Sequence, residues 1–225
     1  MSRNLIIRSL ENNDIDEVAK LCAKIFCERE PLTRFLKTDQ NKFLNYAKEL
    51  CVECCNEKLS FVCEDRVNSE KPEIVGFHLC EKFKIPTKED YDSEKMGFEI
   101  NALLTSLTEE WIKLHSELVG NVEKRNKIIY VEMIGIKEGY EGFGIATKLM
   151  KAALNNAKSL GYETAVIIAS AVGTQTIVEK KIPWKEMLSL AYDDFTFRGR
   201  KPFLGIESPK NVKVFELNLK DWEIN

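Results

Sequence analysis

A glycine-rich turn between an apolar strand and an amphipathic helix constrains the fold of this chain more than any other feature. Residues 128–136 form an apolar run typical of a strand, and residues 145–160 have the spacing of an amphipathic helix. Gly139, Gly142 and Gly144 lie between them. Glycine adopts backbone angles that other residues avoid and lets a ligand approach the main chain. Because the first helical turn leaves its N–H groups unpaired, the segment predicts a cradle for a pyrophosphate.

The glycine spacing excludes the two most familiar nucleotide loops. The turn lacks the G-x-x-x-x-G-K-[S/T] pattern of triphosphate-binding loops, and Gly142-x-Gly144 lacks the third glycine of a dinucleotide fingerprint. The parallel βαβ series that a dinucleotide fold requires does not surround it either. A strand–turn–helix junction without any ligand is the remaining alternative.

Composition favours a single globular domain. The chain has 225 residues, of which 44% are hydrophobic, and this is enough for one sizeable core or two small ones. Because no linker rich in Pro, Gly or Ser divides it, we expect one domain over residues 1–225. An apolar run of about 18 residues is missing, as is a signal-like segment near Met1, so no membrane partner is expected. A net charge of −3 without a basic cluster argues against nucleic acid.

Cysteine usage predicts a reducing compartment. The seven cysteines are odd in number and all lie at or before Cys80, which favours free thiols in a cytoplasmic protein. Cys51, Cys54 and Cys55 suggest zinc, but the sequence has no second Cys-x-x-Cys. Their spacing instead places them on one helical face, where cysteine behaves as a small core residue. We therefore expect no metal site.

Hydrophobic periodicity predicts strands and helices along the whole chain. Strands are expected at residues 5–9, 60–64, 74–83, 128–136, 164–169, 187–192 and 212–219. Helices are expected at residues 14–26, 43–54, 100–118, 145–160 and 175–181. Asp14 and Glu17 predict a capping box at the start of the first helix. Pro31 should end or redirect the chain after that helix.

The glycine turn resembles a known cofactor loop. The segment Tyr-Glu-Gly-Phe-Gly-Ile-Ala is similar to the acetyl-CoA loop of the GNAT N-acetyltransferase superfamily, whose signature is Q/R-x-x-G-x-G/A. Gly144 and Ala146 match the signature, and Glu141 occupies the Gln/Arg position. A carboxylate near a pyrophosphate is unfavourable, so we expect Glu141 to point outward, with Lys137 or Lys148 compensating.

The order of the elements also resembles that superfamily. It implies an α/β GNAT fold, with a mixed central sheet flanked by helices and an inserted helix, at about residues 84–126, before the cofactor-binding strand. Acetyl-CoA is then implied as the co-substrate. The residues implied to bind it are Ile134, Gly135, Ile136, Glu141, Gly142, Phe143, Gly144, Ile145, Ala146 and Thr147.

Two further segments resemble the insect-type arylalkylamine (dopamine) N-acetyltransferase group. Phe-Cys-Glu-Arg-Glu-Pro-Leu, which ends at Leu32, is similar to the acidic-Glu-Pro-Leu element of that group, and the resemblance implies Glu30 as the catalytic base. Arg29 replaces the acidic neighbour often found there. Ser170 and Thr174 stand at the hydroxyl positions of a Ser-x-x-x-Ser element and are implied as donors to the departing sulfur.

These resemblances imply an acetyl-CoA-dependent N-acetyltransferase acting on a small arylalkylamine-like substrate. An alkylammonium is mostly protonated at neutral pH, so a carboxylate must accept its proton, directly or through water. Both substrates would be bound together, with direct transfer and no covalent enzyme intermediate. A polyamine, an amino acid or a peptide amine remains possible as the acceptor, as does a non-catalytic CoA-binding protein. A monomer or a weak homodimer is expected.

The insertion is expected to shape the amine pocket. Its helix carries an apolar stripe that ends in Trp111, Leu114 and Leu118, and aromatic amines gain from stacking on such a surface. Glu99, Glu109 and Glu110 are carboxylates available to an ammonium group. The alternative is that this helix only patches the core.

Overall fold

The computed structural model describes residues 3–67 and 72–223, and these form a seven-stranded sheet with helices on both faces. The strands are β1 (Leu5–Ser9), β2 (Phe61–Asp65), β3 (Glu73–Lys82), β4 (Ile128–Ile136), β5 (Thr164–Ala169), β6 (Lys185–Ala191) and β7 (Asn211–Asn218). The helices are α1 (Ile15–Arg29), α2 (Pro31–Phe35), α3 (Gln40–Glu57), α4 (Lys88–Tyr91), α5 (Phe98–Leu114), α6 (Glu117–Gly120), α7 (Val122–Arg125), α8 (Ile145–Ser159) and α9 (Val172–Lys180). The expected α/β class and mixed sheet are confirmed.

The sheet has the order β1-β2-β3-β4-β5-β7-β6, in which only β4 and β5 are parallel. Their pairing begins at Ile128 opposite Thr164 and ends at Val131 opposite Ile167. Both strands continue beyond that pair, to Ile136 and Ala169. The two strands therefore separate in the middle of the sheet, and this opening positions the candidate site.

A β-bulge in β4 lies at the level of the opening. Leu79 of β3 pairs with Met133, but the next residue, Cys80, pairs with Val131, so Glu132 has no partner in the ladder. A bulge leaves one residue unpaired and bends its strand. It follows that the side chains of β4 change faces at Glu132.

The core is divided by the sheet into two layers. Helix α8 packs Met150 and Ala153 against one face, near Ile129 and Val131. On the opposite face, α1 and α3 cover β2 and β3, and α5 covers the half of the sheet nearer β7. No helix within the described residues combines the length and apolar composition of a membrane span.

The start of α1 differs from the prediction. The capping box is formed by Glu11 and Asp14 around a short 3-10 turn, rather than by Asp14 and Glu17. The Asp14 carboxylate also binds Arg8, with oxygen–nitrogen distances of 2.6 and 2.9 Å. Glu17 accepts a hydrogen bond from the backbone N–H of Ile74 at 2.8 Å. Both carboxylates are therefore used for tertiary contacts.

The inserted helix is shorter than its apolar stripe. The predicted helix over residues 100–118 ends at Leu114, because His115 leaves helical geometry, and the chain continues as the short helices α6 and α7. The ring of His115 contacts the carbonyl of Trp111 at 3.0 Å and the carboxylate of Glu216 at 3.0 Å. The polar segment before this helix contains α4. Part of the predicted loop between β2 and β3 lies outside the described residues.

Candidate active site

A cleft of about 370 Å³ occupies the opening between β4 and β5. Helices on both faces of the sheet contribute to it, α1 on one face and α8 and α9 on the other. Its lining residues are Ile25, Phe26, Arg29, Glu30, Ile134, Gly135, Ile136, Glu141, Ala146, Ile167, Ile168, Ser170, Ala171, Gly173, Thr174 and Ile177. The cleft thus brings together residues from all three motifs found in the sequence.

Glu30 is held at the junction of α1 and α2. It follows the last residue of α1, and Pro31 begins α2, so Glu30 is the N-cap of the second helix. Its Oε2 atom accepts a hydrogen bond from the backbone N–H of Thr33 at 2.8 Å. Only 9% of the residue is exposed. Pro at the first helical position and a side-chain oxygen at the N-cap are both favourable here, which explains the local fold.

Ser170 is the second partner of this carboxylate. Its hydroxyl donates to Glu30 Oε1 at 2.7 Å, and its carbonyl accepts a hydrogen bond from the hydroxyl of Tyr192 at 2.8 Å. Tyr192 is fully buried, and burial raises its pKa, so the hydroxyl remains a donor. Sequence reasoning did not assign Tyr192 a role, although it begins the Tyr-Asp-Asp-Phe segment near the end of the chain.

Thr33 is another site residue that sequence reasoning missed. Its hydroxyl lies 2.9 Å from Glu30 Oε2 and 2.5 Å from the carbonyl of Phe26. A hydroxyl has one proton, so it can donate to only one of them at a time. The N–H of Thr33 and the hydroxyl of Ser170 leave acceptor capacity free on Glu30, since a carboxylate offers about four lone-pair sites. The position of Thr33, three residues after the N-cap, was the signal available in the sequence.

The glycine loop has the geometry that a phosphate cradle needs. Gly142 and Gly144 have φ angles of +80° and +73°, and a Cβ atom on either would extend into open space. Gly144 is the N-cap of α8, and no side chain of the described residues caps that helix. The N–H groups of its first turn therefore point to an open cradle that an anion can fill. These residues fit the phosphates of acetyl-CoA.

Of the seven predicted cofactor residues other than Gly142, Gly144 and Glu141, four line the cleft and three do not. Ile134, Gly135 and Ile136 line the cleft from β4, together with Ala146 from α8. Gly135 is required by packing, because a Cβ there would lie 2.5 Å from the Phe77 ring. The remaining three have different exposures, with Ile145 buried, Thr147 half-buried and Phe143 largely exposed.

The sequence predicted that Glu141 points away from the loop, but in the structure its side chain turns back toward the loop. Its carboxylate pairs with Arg29, with an Oε1–Nη1 distance of 2.5 Å, and accepts the backbone N–H of Gly139 at 2.7 Å. Hydrogen bonds from its own N–H, from Arg29 and from Gly139 lower the pKa of Glu141. Lys137, one of the two expected compensating cations, pairs with Glu73 instead.

A second cavity, of about 250 Å³, lies between α3, β3, β4 and the insertion. Its carboxylates include Glu49, Glu53, Glu81 and Glu132, the residue at the bulge. Burial, reinforced by the charge of Glu81, raises the pKa of Glu132 to about 8. Sequence reasoning missed Glu132. A charged residue within an otherwise apolar strand was the signal that could have identified it.

The insertion contributes to this acidic cavity, but not through the residues expected. Residues of α5 line it at Asn101, Leu104, Thr105 and Thr108. Trp111 is buried, donates from Nε1 to Glu216 at 2.9 Å and packs edge-on against Phe83. Leu114 is exposed and Leu118 is buried. Glu109 and Glu110 face solvent, and Glu99 is not among the cavity's lining residues. At the end of the apolar stripe, Trp111 and Leu118 are therefore core residues and Leu114 is a surface residue, and none of them lines the cavity.

The thiols are not nucleophiles in this site. Cys27 lies on α1 near Glu30, and burial raises its pKa to about 11. Cys22, one turn away, is fully buried, and burial raises its pKa as well. Since the thiolate is the reactive form, these groups are unreactive at neutral pH. In the described part of the chain, no group of three or more His, Cys, Asp or Glu side chains is arranged so that it could hold a metal ion.

Comparison with protein families and solved structures gives a consistent picture. The model of the acetyltransferase (GNAT) family matches residues 63–176, which is half of the chain and includes β4, the glycine loop and α8. Among curated proteins, none is significantly similar in sequence.

Several solved structures share the fold. The mosquito protein named arylalkylamine N-acetyltransferase like 5b has a TM-score of 0.73 at 15% identity, and the match covers 96% of this chain and 100% of that one. The C-terminal condensation domain of Ebony, in complex with beta-alanyl-dopamine, has a TM-score of 0.75 at 16% identity and the same coverage. A polyamine N-acetyltransferase of Drosophila melanogaster has a TM-score of 0.62 at 13% identity, again with 96% and 100% coverage. At these identities the likeness shows the fold alone.

Proposed function

This chain belongs to the acetyltransferase (GNAT) family, and from that premise we propose that it acetylates the primary amine of a small arylalkylamine-like substrate. It is an acyltransferase that uses acetyl-CoA as co-substrate. One observation carries the proposal of catalysis. Glu30 and Ser170, from elements far apart in sequence, are hydrogen bonded in the cleft beside the glycine loop. A chain that only bound CoA would have no need of this pair.

We propose that the cofactor lies along β4 and ends at the loop. The N–H groups of the first turn of α8 would bind its phosphates. The backbone of Ile134–Ile136, in the part of β4 that extends beyond its pairing with β5, would hold its pantetheine arm and polarise the thioester carbonyl. Acetyl-CoA supplies an activated acyl group, and the tasks left to the protein are to orient the amine and to move its protons.

Glu30 would act as the general base. Its free acceptor capacity can take the ammonium proton directly or through one water, which leaves a neutral amine for attack. Ser170 fixes one carboxylate oxygen, and the Thr33 N–H fixes the other. Because the Ser170 hydroxyl is engaged with Glu30, Thr174 is the better candidate to donate to the departing sulfur. Transfer would be direct, since Cys27 is not a usable nucleophile.

The acidic cavity favours a second candidate substrate class, a diamine or polyamine. The Glu132 carboxyl has no hydrogen-bond or ion-pair partner among the described residues, and it shares the cavity with Glu81 and Glu53. A second ammonium group, at the far end of the substrate, would pair with this carboxyl and favour its ionised form. Glu132 lies two residues before Ile134 on the same strand, so one long amine could extend from this cavity toward the cleft.

An amine screen against acetyl-CoA, following thiol release, tests both candidates. The panel contains phenylethylamine-like amines, and diamines of increasing length as the second class. Preference for the aromatic amines supports the first candidate, and preference for diamines supports the second. CoA binding in calorimetry without thiol release from any amine would instead favour a non-catalytic CoA-binding protein.

The role of Glu30 is tested by Glu30→Gln, which keeps the shape but cannot accept the proton. We expect turnover to fall by about 10²–10⁴-fold with acetyl-CoA affinity retained. Glu28→Gln is the matched control, because Glu28 is exposed and lies on the preceding turn. Equal loss in both variants, or none in Glu30→Gln, would mean that Glu30 is not the base.

A further inference from the structure

An arginine and a glutamate form an ion pair at the mouth of the cleft. Arg29 is the last residue of α1, and Glu141 is in the glycine loop, 112 residues later. Their side chains meet at 2.5 Å, and both line the cleft. The second guanidinium nitrogen of Arg29 donates to the carbonyl of Ile136, the last residue of β4. Arg29 thus joins the strand and the loop that form the cradle.

The carboxylate of Glu141 is bound by the kinds of donor that would bind a ligand anion. One carboxylate oxygen accepts from Arg29 and the other from the N–H of Gly139. Both donors belong to the edge of the cradle, and both are the kinds of group that bind phosphate oxygens. The carboxylate of Glu141 therefore occupies an anion site that is built from Arg29 and the loop backbone.

Three other cations near the loop, Arg3, Lys137 and Lys148, do not line the cleft. Arg3 donates to the carbonyl of Gly139 and lies over the rings of Tyr140 and Phe143. The ammonium group of Lys137 is paired with Glu73. Lys148 is exposed on the first turn of α8, and it is absent from the residues that line the cleft. Arg29 has its side chain about one third exposed, so it can change partners without unfolding α1.

We propose that Arg29 is the cation that receives the pyrophosphate of CoA, and that Glu141 occupies Arg29 until the cofactor displaces it. The inference rests on the proposed CoA site and adds a binding residue that lies on α1, outside the loop motif. Exchange of one anion for another keeps the guanidinium paired in both states. It also means that Glu141 competes with the cofactor, so acetyl-CoA must bind against an internal anion.

Binding of CoA, and of pantetheine, which has no phosphate groups, tests the proposal. Calorimetry or NMR titration is applied to the unsubstituted protein and to Arg29→Gln, with Lys137→Gln as the matched control. We expect Arg29→Gln to weaken CoA binding by about tenfold or more and to leave pantetheine binding unchanged. Lys137→Gln should bind both like the unsubstituted protein. The salt dependence of CoA binding should be smaller in Arg29→Gln.

Two variants of Glu141 sharpen the test. Glu141→Gln frees Arg29 and should tighten CoA binding. The exchanged pair Arg29→Glu with Glu141→Arg should bind CoA far better than Arg29→Glu alone, because the cation returns to the loop. A cooperative thermal unfolding transition in each variant would show that the variant is folded.

Some outcomes would overturn the inference while leaving the proposed function intact. These are CoA binding that is insensitive to Arg29→Gln, or an equal loss for CoA and pantetheine. Absence of CoA binding by the unsubstituted protein would overturn both proposals, so the two failures are distinguishable.

Discussion

The carboxylate of Glu30 shows how much of the chemistry depends on single hydrogen bonds. Its two oxygens are fixed by donors from different parts of the chain, Thr33 close by and Ser170 140 residues away. Tyr192 holds the backbone of Ser170. A base that is fixed on both oxygens keeps one orientation toward the amine, which is how positioned groups lower a barrier. Ser170 would be a positioning residue, and Thr174 would contact the leaving group.

Removal of the two hydroxyls separates these roles. Ser170→Ala leaves Glu30 without one donor, and Thr174→Ala removes the proposed proton donor for the sulfur, so each should lower kcat by about tenfold. If the two hydroxyls contribute independently to the rate-limiting barrier, the double variant should lose about a hundredfold, since independent effects multiply. Turnover under saturating acetyl-CoA is the measurement.

A matched control exists on the same helix as Thr174. Thr176→Ala removes a hydroxyl on the exposed side of α9 whose one hydrogen bond among the described residues is to the Val172 carbonyl, and kcat should not change. If Thr174→Ala alone is slow but the double variant is no slower than Ser170→Ala, the two hydroxyls serve one function, which contradicts separate roles. An unchanged kcat in Thr174→Ala would mean that Thr174 takes no part.

The glycine loop with α8 forms the element that binds the cofactor in our proposal. Its geometry depends on left-handed backbone angles at Gly142 and Gly144, which other residues adopt at a cost of about 1–2 kcal/mol. The space beside Gly144 is open on the protein side. A side chain there would clash with a bound ligand rather than with the protein.

Gly144→Val should therefore weaken CoA binding to a degree that its loss in the free energy of unfolding does not explain. Gly161→Val is the matched control, because Gly161 follows the other end of α8 and has a similar φ of +85°. Both variants should lose about 1–2 kcal/mol in the free energy of unfolding. Only Gly144→Val should lose CoA binding, by at least about tenfold, in calorimetry. Undiminished affinity in Gly144→Val would remove the loop from the cofactor site.

At the scale of the whole molecule, the acidic cavity makes stability depend on pH. Burial raises the pKa of Glu132 from 4.5 to about 8. Below pH 4.5 this carboxyl is protonated in the folded and unfolded chains alike. Between pH 4.5 and 8 the unfolded chain releases a proton that the folded chain keeps, so the free energy of unfolding falls as pH rises. Above pH 8 the penalty is complete.

Glu132→Gln should remove this pH dependence. The difference in the free energy of unfolding between the variant and the unsubstituted protein should grow by about 2–4 kcal/mol, in favour of the variant, from pH 5 to pH 8.5. Urea unfolding at the two pH values measures the gain. Glu109→Gln, an exposed carboxylate on α5, serves as the control and should show no such gain. A gain equal at both pH values would mean that Glu132 is ionised in the folded protein throughout this range.

The sequence by itself determined the order of the elements and the family. Helical and strand periodicities, the three glycines of the loop and the Pro after Glu30 are local signals, and local geometry follows directly from them. The strands and the helix of the insertion were predicted for this reason, and the mixed sheet was implied by the resemblance to the family. The end of α5 was not, because the contacts of His115 with Trp111 and Glu216 stop the helix within a continuous apolar stripe.

The tertiary structure alone decided which charged and polar groups meet. Asp14 forms a capping box with Glu11 rather than with Glu17 and also pairs with Arg8. Glu141 turned toward Arg29 rather than away from the loop. Glu132 gained its raised pKa from a bulge and from burial. Such pairings join residues distant in sequence, and their energies depend on burial and on neighbouring charges. Hydrophobic periodicity indicates neither the burial of a particular polar group nor the charges around it, so these contacts could not be predicted from the sequence.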